Sequence, residues 1–280
     1  MQFKDKFVDL SSPKVMGILN ITPDSFSDGG SYNQLDVALQ QVASMLEQGA
    51  SFIDVGGEST RPGADDVSAQ QELDRVIPVI EAITQRFDTV VSVDTSKALV
   101  MREAVAVGAS FINDVCALQE DGALSSAVAA QVPVCLMHMQ GKPRSMQTAP
   151  NYQNVVTDVY QFLLERINCC VEAGISNERI IIDPGFGFGK SLAHNYQLLA
   201  NLQQFLTLNV VMLAGMSRKS MIGLLLNRSV EQRLAGSVGA AMLAAQQGAK
   251  IIRVHDVQET VDALKVLNMM NAYKEDNNER

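Results

Sequence analysis

Three residues suited to reading a ring heterocycle stand at the polar ends of apolar runs: Asp94 in "VVSVDT", Asn113 in "SFINDV" and Asp183 in "RIIIDP". A heteroaromatic ring carrying a 2-amino group beside a ring N–H offers two parallel donors, which a carboxylate accepts bidentately. An amide such as Asn113 can serve one donor and one acceptor. A second group is cationic. "GMSRKS" and "IIRVHD" supply Arg218, Lys219, Arg253 and His255, with Ser217 and Ser220 as further donors. Such cations, next to backbone N–H groups at a helix start, bind phosphate-like anions. Each residue also has an ordinary reading as helix cap, core hydrogen-bond partner or salt-bridged rim.

Other chemical signals fail on spacing. "DPGFGFGKS" at 183–191 ends like a nucleotide-binding loop, but the leading glycine that such a loop requires falls on Pro184. Its glycines run G-x-G-x-G, which is not the dinucleotide fingerprint. Asp24, Asp28 and Gly29 echo a calcium loop, yet Phe26 takes its third position and Leu35 its twelfth. The histidines (His138, His194, His255) lack metal-ligand spacing, and no Ser/His/Asp or cysteine nucleophile arrangement is evident.

The elements that must carry these residues follow a repeated plan. "QGASFIDVG", "VGASFINDV" and "QGAKIIRVH" each read as helix end, Gly-Ala, apolar strand and polar residue, and "GISNERIIIDPG" is a looser copy. Gly49, Gly108, Gly174 and Gly248 fall where a helix terminates in a left-handed residue. Eight apolar runs are expected as strands, at 15–20, 51–56, 90–95, 110–115, 133–138, 179–184, 210–217 and 250–255. Their β-branched, two-sided character suits parallel strands covered on both faces. Amphipathic helices alternate with them, for example through Leu35, Leu39, Val42 and Leu46, or Leu73, Val76, Ile80 and Ile83, where Pro78 threatens continuity. Eight such units predict an α/β fold, a single (β/α)8 TIM barrel over residues 1–280 with its core at about 15–274 and a polar tail that frays. The strand-end residues Asn20, Asp54, Asp94, Asn113 with Asp114, His138, Asp183, Ser217 to Lys219, and Arg253 with His255 would then ring one mouth. Two long loops, 20–30 and 56–64, are expected to act as mobile lids over it.

Composition narrows the partners. A net charge of −9 over 280 residues argues against nucleic acid but leaves room for an anionic small molecule, because a local cationic cluster outweighs distant charge at physiological ionic strength. Four cysteines without a C-x-x-C suit a reducing compartment. The start "MQFKDKFVDL" lacks an apolar export segment, and no run approaches membrane-spanning length. A cytoplasmic location and no membrane partner are expected.

The motifs "MGILNITPDSFSDGG", "IDVGGESTRPGA", "VDTSK", "IND", "LMHMQG", "DPGFGFGK", "GMSRKS" and "IIRVHD" together resemble the bacterial dihydropteroate synthase family, in its order and over residues 16–256. The resemblance implies condensation of 6-hydroxymethyl-7,8-dihydropterin pyrophosphate with p-aminobenzoate, giving 7,8-dihydropteroate and pyrophosphate. It implies that Asp94, Asn113, Asp183 and Lys219 hold the pterin, with Arg253 stacking nearby and Val115 and Met137 as apolar walls. Asn20 would ligate Mg²⁺ on the pyrophosphate, and Arg61, Arg253 and His255 would neutralise that leaving group. Phe26, Thr60, Pro62, Phe188 and Ser217 would frame p-aminobenzoate. Sulfonamides are implied as competitive inhibitors and a homodimer as the assembly, through the small-residue helix at 231–249. Two rivals share the pterin-holding carboxylates: a pterin-dependent methyltransferase, which needs no pyrophosphate grip, and a pterin-binding protein without catalysis.

Overall fold

Alternate residues along every barrel strand sort into two separate apolar clusters. The computed structural model describes residues 1–21, 31–59, 66–141, 146 and 150–275. Within them, eight parallel strands close a barrel in the order β10-β3-β4-β5-β6-β7-β8-β9. They are β3 (Lys14–Asn20), β4 (Phe52–Gly56), β5 (Val90–Asp94), β6 (Phe111–Asp114), β7 (Val134–Met137), β8 (Ile180–Asp183), β9 (Val211–Ala214) and β10 (Ile251–Val254). Each overlaps its expected run; the run at 210–217 is shortened most, leaving 215–217 outside the ladder. An N-terminal hairpin, β1 (Gln2–Phe3) with β2 (Lys6–Phe7), was not expected.

The inner cluster takes one residue from every barrel strand: Met16, Phe52, Val90, Phe111, Cys135, Ile181, Leu213 and Ile251. Phe3 from the hairpin completes it, with its ring centroid 5.1 Å from that of Phe52 and 5.5 Å from that of Phe111. The residues one step along, such as Ile53, Val91, Ile112, Leu136, Ile182 and Ile252, join the larger cluster shared with the helices. This is the period of two expected for strands buried on both faces.

Nine α-helices among the described residues surround the strands: α1 (Ser31–Glu47), α2 (Ala69–Arg86), α3 (Ala98–Ala106), α4 (Ala123–Ala130), α5 (Val155–Glu172), α6 (Leu192–Ala200), α7 (Ser220–Leu226), α8 (Leu234–Gln246) and α9 (Val257–Glu275). Gly49, Gly108, Gly174 and Gly248 have φ between 101° and 119°, as their helix-terminal placement requires. α2 runs unbroken through Pro78, contrary to the concern raised by its sequence. Pro78 lies on the exposed face, where solvent can serve the carbonyl that a proline leaves without its N–H. Phe26, Thr60, Arg61 and Pro62, most of both expected lids and the last residues of the tail lie outside the described residues.

Candidate functional site

The same alternation that builds the floor delivers the chemistry above it. Two steps beyond Phe52 comes Asp54, then Gly56; beyond Val90 come Ser92 and Asp94; beyond Phe111, Asn113; beyond Ile181, Asp183; beyond Ile251, Arg253. Register sets Asp94 beside Asn113 and Met137 beside Asp183. The floor is therefore apolar and the layer above it polar.

Arg253 is the centre of that layer. Its Nε donates to Asp54 Oδ2 at 2.6 Å and its other arm to Asp94 Oδ2 at 2.8 Å. Asp54 Oδ2 also accepts from Asn113 Nδ2 at 3.1 Å. Burial works against the Arg253 charge, but Asp54 and Asp94 more than offset it and push its pKa up. Burial pushes Asp94 up to about 7 against the pull of Arg253. Asp183 is raised by burial too, although Lys219 and the Gly185 N–H, which donates to Asp183 Oδ1 at 2.8 Å, favour its ionised form.

Lys219 stands beside Arg253. A Cβ placed on Gly215 would lie 3.7 Å from Arg253 Cβ and 3.8 Å from Lys219 Nζ, so the bare Gly215 leaves room for two cations side by side. Burial lowers Lys219 to about 8, with Asp183 opposing the shift and Arg253 adding to it. Its ammonium donates to Phe186 O at 2.7 Å and sits 4.5 Å from the centroid of the Phe188 ring, a cation–π contact. Phe188, Met137, Met146, Val115 and Met139 form an apolar wall. On the other flank Ser217 Oγ accepts from the His255 backbone N–H at 3.2 Å and lies 3.2 Å from His255 Nδ1. Asn20 closes β3, in register with Gly56 and so one strand removed from Asp94.

Carboxylates and cations expected to share one rim thus do share it: Asp94, Asn113, Asp183, Lys219, Arg253, Val115, Met137, Phe188, Ser217, His255 and Asn20 all lie at the C-terminal end of the strands. Three members of the expected ring do not belong. Asp114 turns to the helix layer, where Ser96 and the backbone N–H groups of Cys116 and Leu118 bind it. His138 is buried against the helix layer, edge-on to Phe162 of α5 at 4.9 Å. Arg218, counted with the anion-binding cations, is committed to Asp256.

Asp54 was read only as a polar strand end, yet it ties the ring-reading amide to the central cation. Its inward register was visible in the alternation; its two partners, 59 and 199 residues away, were not. Two of the glycines of "DPGFGFGKS" are required by packing. A Cβ on Gly185 would lie 1.8 Å from the His138 carbonyl oxygen, and one on Gly189 would lie 2.4 Å from that of Gln140. They let the loop after β8 press against the loop after β7.

The profile of the pterin-binding enzyme family matches residues 16–255. A dihydropteroate synthase of Haemophilus influenzae is 60% identical over 94% of this chain and 95% of its own. The chain belongs to the dihydropteroate synthase family. Among solved structures, dihydropteroate synthase of Yersinia pestis in a sulfonamide drug complex superposes with a TM-score of 0.93 at 56% identity, covering 97% of this chain and 99% of that one. The Xanthomonas albilineans family member superposes with a TM-score of 0.89 at 53% identity when bound to 4-aminobenzoic acid, over 94% of both chains. Bound to 7,8-dihydropteroate it gives 0.87 at 50%, over 95% of this chain and 96% of that one. The barrel expected from the eight strand–helix units is the family's barrel.

Proposed function

We propose that this chain joins 6-hydroxymethyl-7,8-dihydropterin pyrophosphate to p-aminobenzoate, releasing pyrophosphate and 7,8-dihydropteroate for folate synthesis. The observation that carries this reading is Arg253, which bonds Asp54 and Asp94 at once and stands next to Lys219. It puts the cations that would receive a leaving diphosphate against the carboxylates that would read the ring.

Asp183 and Asp94 accept from the pterin's amino and ring N–H groups. Asn113 is already held: with one N–H given to Asp54, its carbonyl oxygen and remaining N–H are left for the ring. Val115, Met137 and Phe188 form the apolar walls. The bond that breaks joins the pterin methylene carbon to the diphosphate oxygen, and the electron pair leaves with the diphosphate. Arg253, Lys219 and His255, with Arg61, stabilise that charge as it develops, which a buried site does more effectively than water. Positive charge left on the methylene is spread into a ring flanked by carboxylates, so the substitution is SN1-like. The aniline nitrogen of p-aminobenzoate then forms the new bond and releases its proton; a neutral aromatic amine needs no dedicated base. Ser217, Phe188, Phe26, Thr60 and Pro62 frame this second substrate, and sulfonamides would compete there.

Mg²⁺ fits this site as a companion of the diphosphate. No group of three or more His, Cys, Asp or Glu side chains among the described residues could hold it alone, whereas a single Asn20 oxygen plus diphosphate oxygens and water is an ordinary magnesium shell. Bound there, it would act as a Lewis acid on the leaving oxygens.

The four free cysteines support a reducing, cytoplasmic location, and no helix of the described residues is long and apolar enough to cross a membrane. A homodimer remains part of the proposal on changed grounds. Most small residues of α8 serve packing within the chain: Ala240, Ala241, Ala244 and Ala245 are buried, and a Cβ on Gly236 would lie 2.6 Å from Ile222, whereas one on Gly239 would meet nothing within 4 Å. The support comes instead from exposed apolar side chains on two helices, Leu224 and Leu225 on α7 and Val266 and Met269 on α9, all more than half exposed. The deciding experiment for the reaction mixes the pterin pyrophosphate with p-aminobenzoate and Mg²⁺ and follows pyrophosphate. Release that depends on p-aminobenzoate is expected; tight pterin binding without turnover would overturn it.

A further inference from the structure

Lys190, at the end of the stretch that imitates a nucleotide loop, has no part in the chemistry above, yet it is buried and four acceptors converge on it. Its Nζ donates to the carbonyl oxygens of Gly185 at 2.8 Å, Phe188 at 3.1 Å and His138 at 3.3 Å, and lies 2.8 Å from His138 Nδ1. Burial and the Lys190 charge drive His138 down to about 2, so its ring is neutral and offers a lone pair. Burial also pulls Lys190 well below the ordinary lysine value, with Asp183 opposing the shift; the ammonium form is the one that can donate to three of these acceptors.

The rest of the loop is held from the same side. Asn195 Oδ1 accepts from the Gly187 N–H at 2.7 Å, its amide donates to Lys190 O at 3.2 Å, and the Tyr152 hydroxyl donates to Gly189 O at 2.7 Å. On the opposite side the loop presents the Gly185 N–H to Asp183 and the Phe188 ring to Lys219. Its inner face is thus pinned to an ammonium and its outer face lines the mouth.

We propose that Lys190 is a positioning residue for the second substrate: by gathering the carbonyls of Gly185, Phe188 and His138 around one buried cation, it sets the Phe188 ring against which p-aminobenzoate packs. This rests on the p-aminobenzoate reading of the mouth. Asp183 sits on strand β8 itself and is fixed by the ladder, so the pterin side depends on Lys190 less than Phe188 does.

The test is steady-state pyrophosphate release by Lys190→Met, which keeps much of the buried stem and removes the charge. KM for p-aminobenzoate should rise by about tenfold, the scale of a modest misplacement in a bound complex, while KM for the pterin pyrophosphate stays within about threefold of the parent. Lys190→Ala supplied with ethylammonium should regain part of that loss, and sodium chloride at equal ionic strength should not restore it. Unchanged KM values, equal rises in both, or equal recovery with either salt would overturn the proposal. If Lys190→Met does not fold, Tyr152→Phe, which removes the partner of Gly189 from a half-buried position, should raise KM for p-aminobenzoate alone; no change would overturn it. A parent enzyme that releases no pyrophosphate with p-aminobenzoate would instead sink the underlying reaction.

Discussion

Arg253 is held on two sides by carboxylates, and whatever charge remains for a ligand is aimed by them. Arg253→Ala should therefore lose on the order of 10²–10³ in rate, measured as pyrophosphate release at saturating substrates; activity within a few-fold of the parent would remove Arg253 from its role. Lys219 gives a pH signature. Its ammonium is the useful form, and the proton is lost as pH rises through about 8, so kcat/KM for the pterin pyrophosphate should fall on that alkaline side. Stability moves the other way. With the folded value below the ordinary 10.5, the unfolded chain binds more protons between the two, so Lys219 alone makes stability rise with pH across that interval. A flat rate profile to pH 9.5 would contradict the assignment. Asp94, Asp183 and Arg253 were legible as types because each ends an apolar run. The partners of Asp54 and the carbonyl cage around Lys190 were not, because both depend on how distant backbone segments meet.

The loop after β4 is anchored by an ionic node outside the mouth. Lys97, at the start of α3, lies 2.6 Å from the fully buried Glu72 of α2 and also binds Glu58. Glu58 in turn accepts from the Val67 backbone N–H at 3.0 Å, closing the base of the segment that carries Arg61. Removing one partner of a buried pair strands the other, so Lys97→Met should destabilise the fold by about 3–5 kcal/mol, read from urea unfolding at neutral pH. A loss below about 1 kcal/mol would mean that Glu72 finds other compensation. The repeated Gly-Ala-strand cassette made the strands readable from sequence, since it fixes both a helix stop and a two-sided apolar run. The hairpin escaped because "QFKDKF" alternates over too few residues to stand out. His138 and Asp114 were misplaced for a related reason: one residue of slip at a strand end turns a side chain from the mouth to the helix layer.

Across the whole molecule, the exposed Leu224 and Leu225 of α7 and Val266 and Met269 of α9 predict self-association. Leu224→Glu together with Met269→Glu should convert a dimer to a monomer in sedimentation at micromolar concentration without altering the isolated barrel's far-ultraviolet circular dichroism. A parent that already sediments as a monomer would refute the assignment. The opposite end of the barrel carries a different consequence. Because Phe3 packs edge-on against Phe52 and Phe111 at the foot of the inner layer, the barrel is filled at that end and its polar layer opens at the other. For the proposed reaction this means that both substrates and the departing diphosphate would share the one rim at the strands' C-terminal ends.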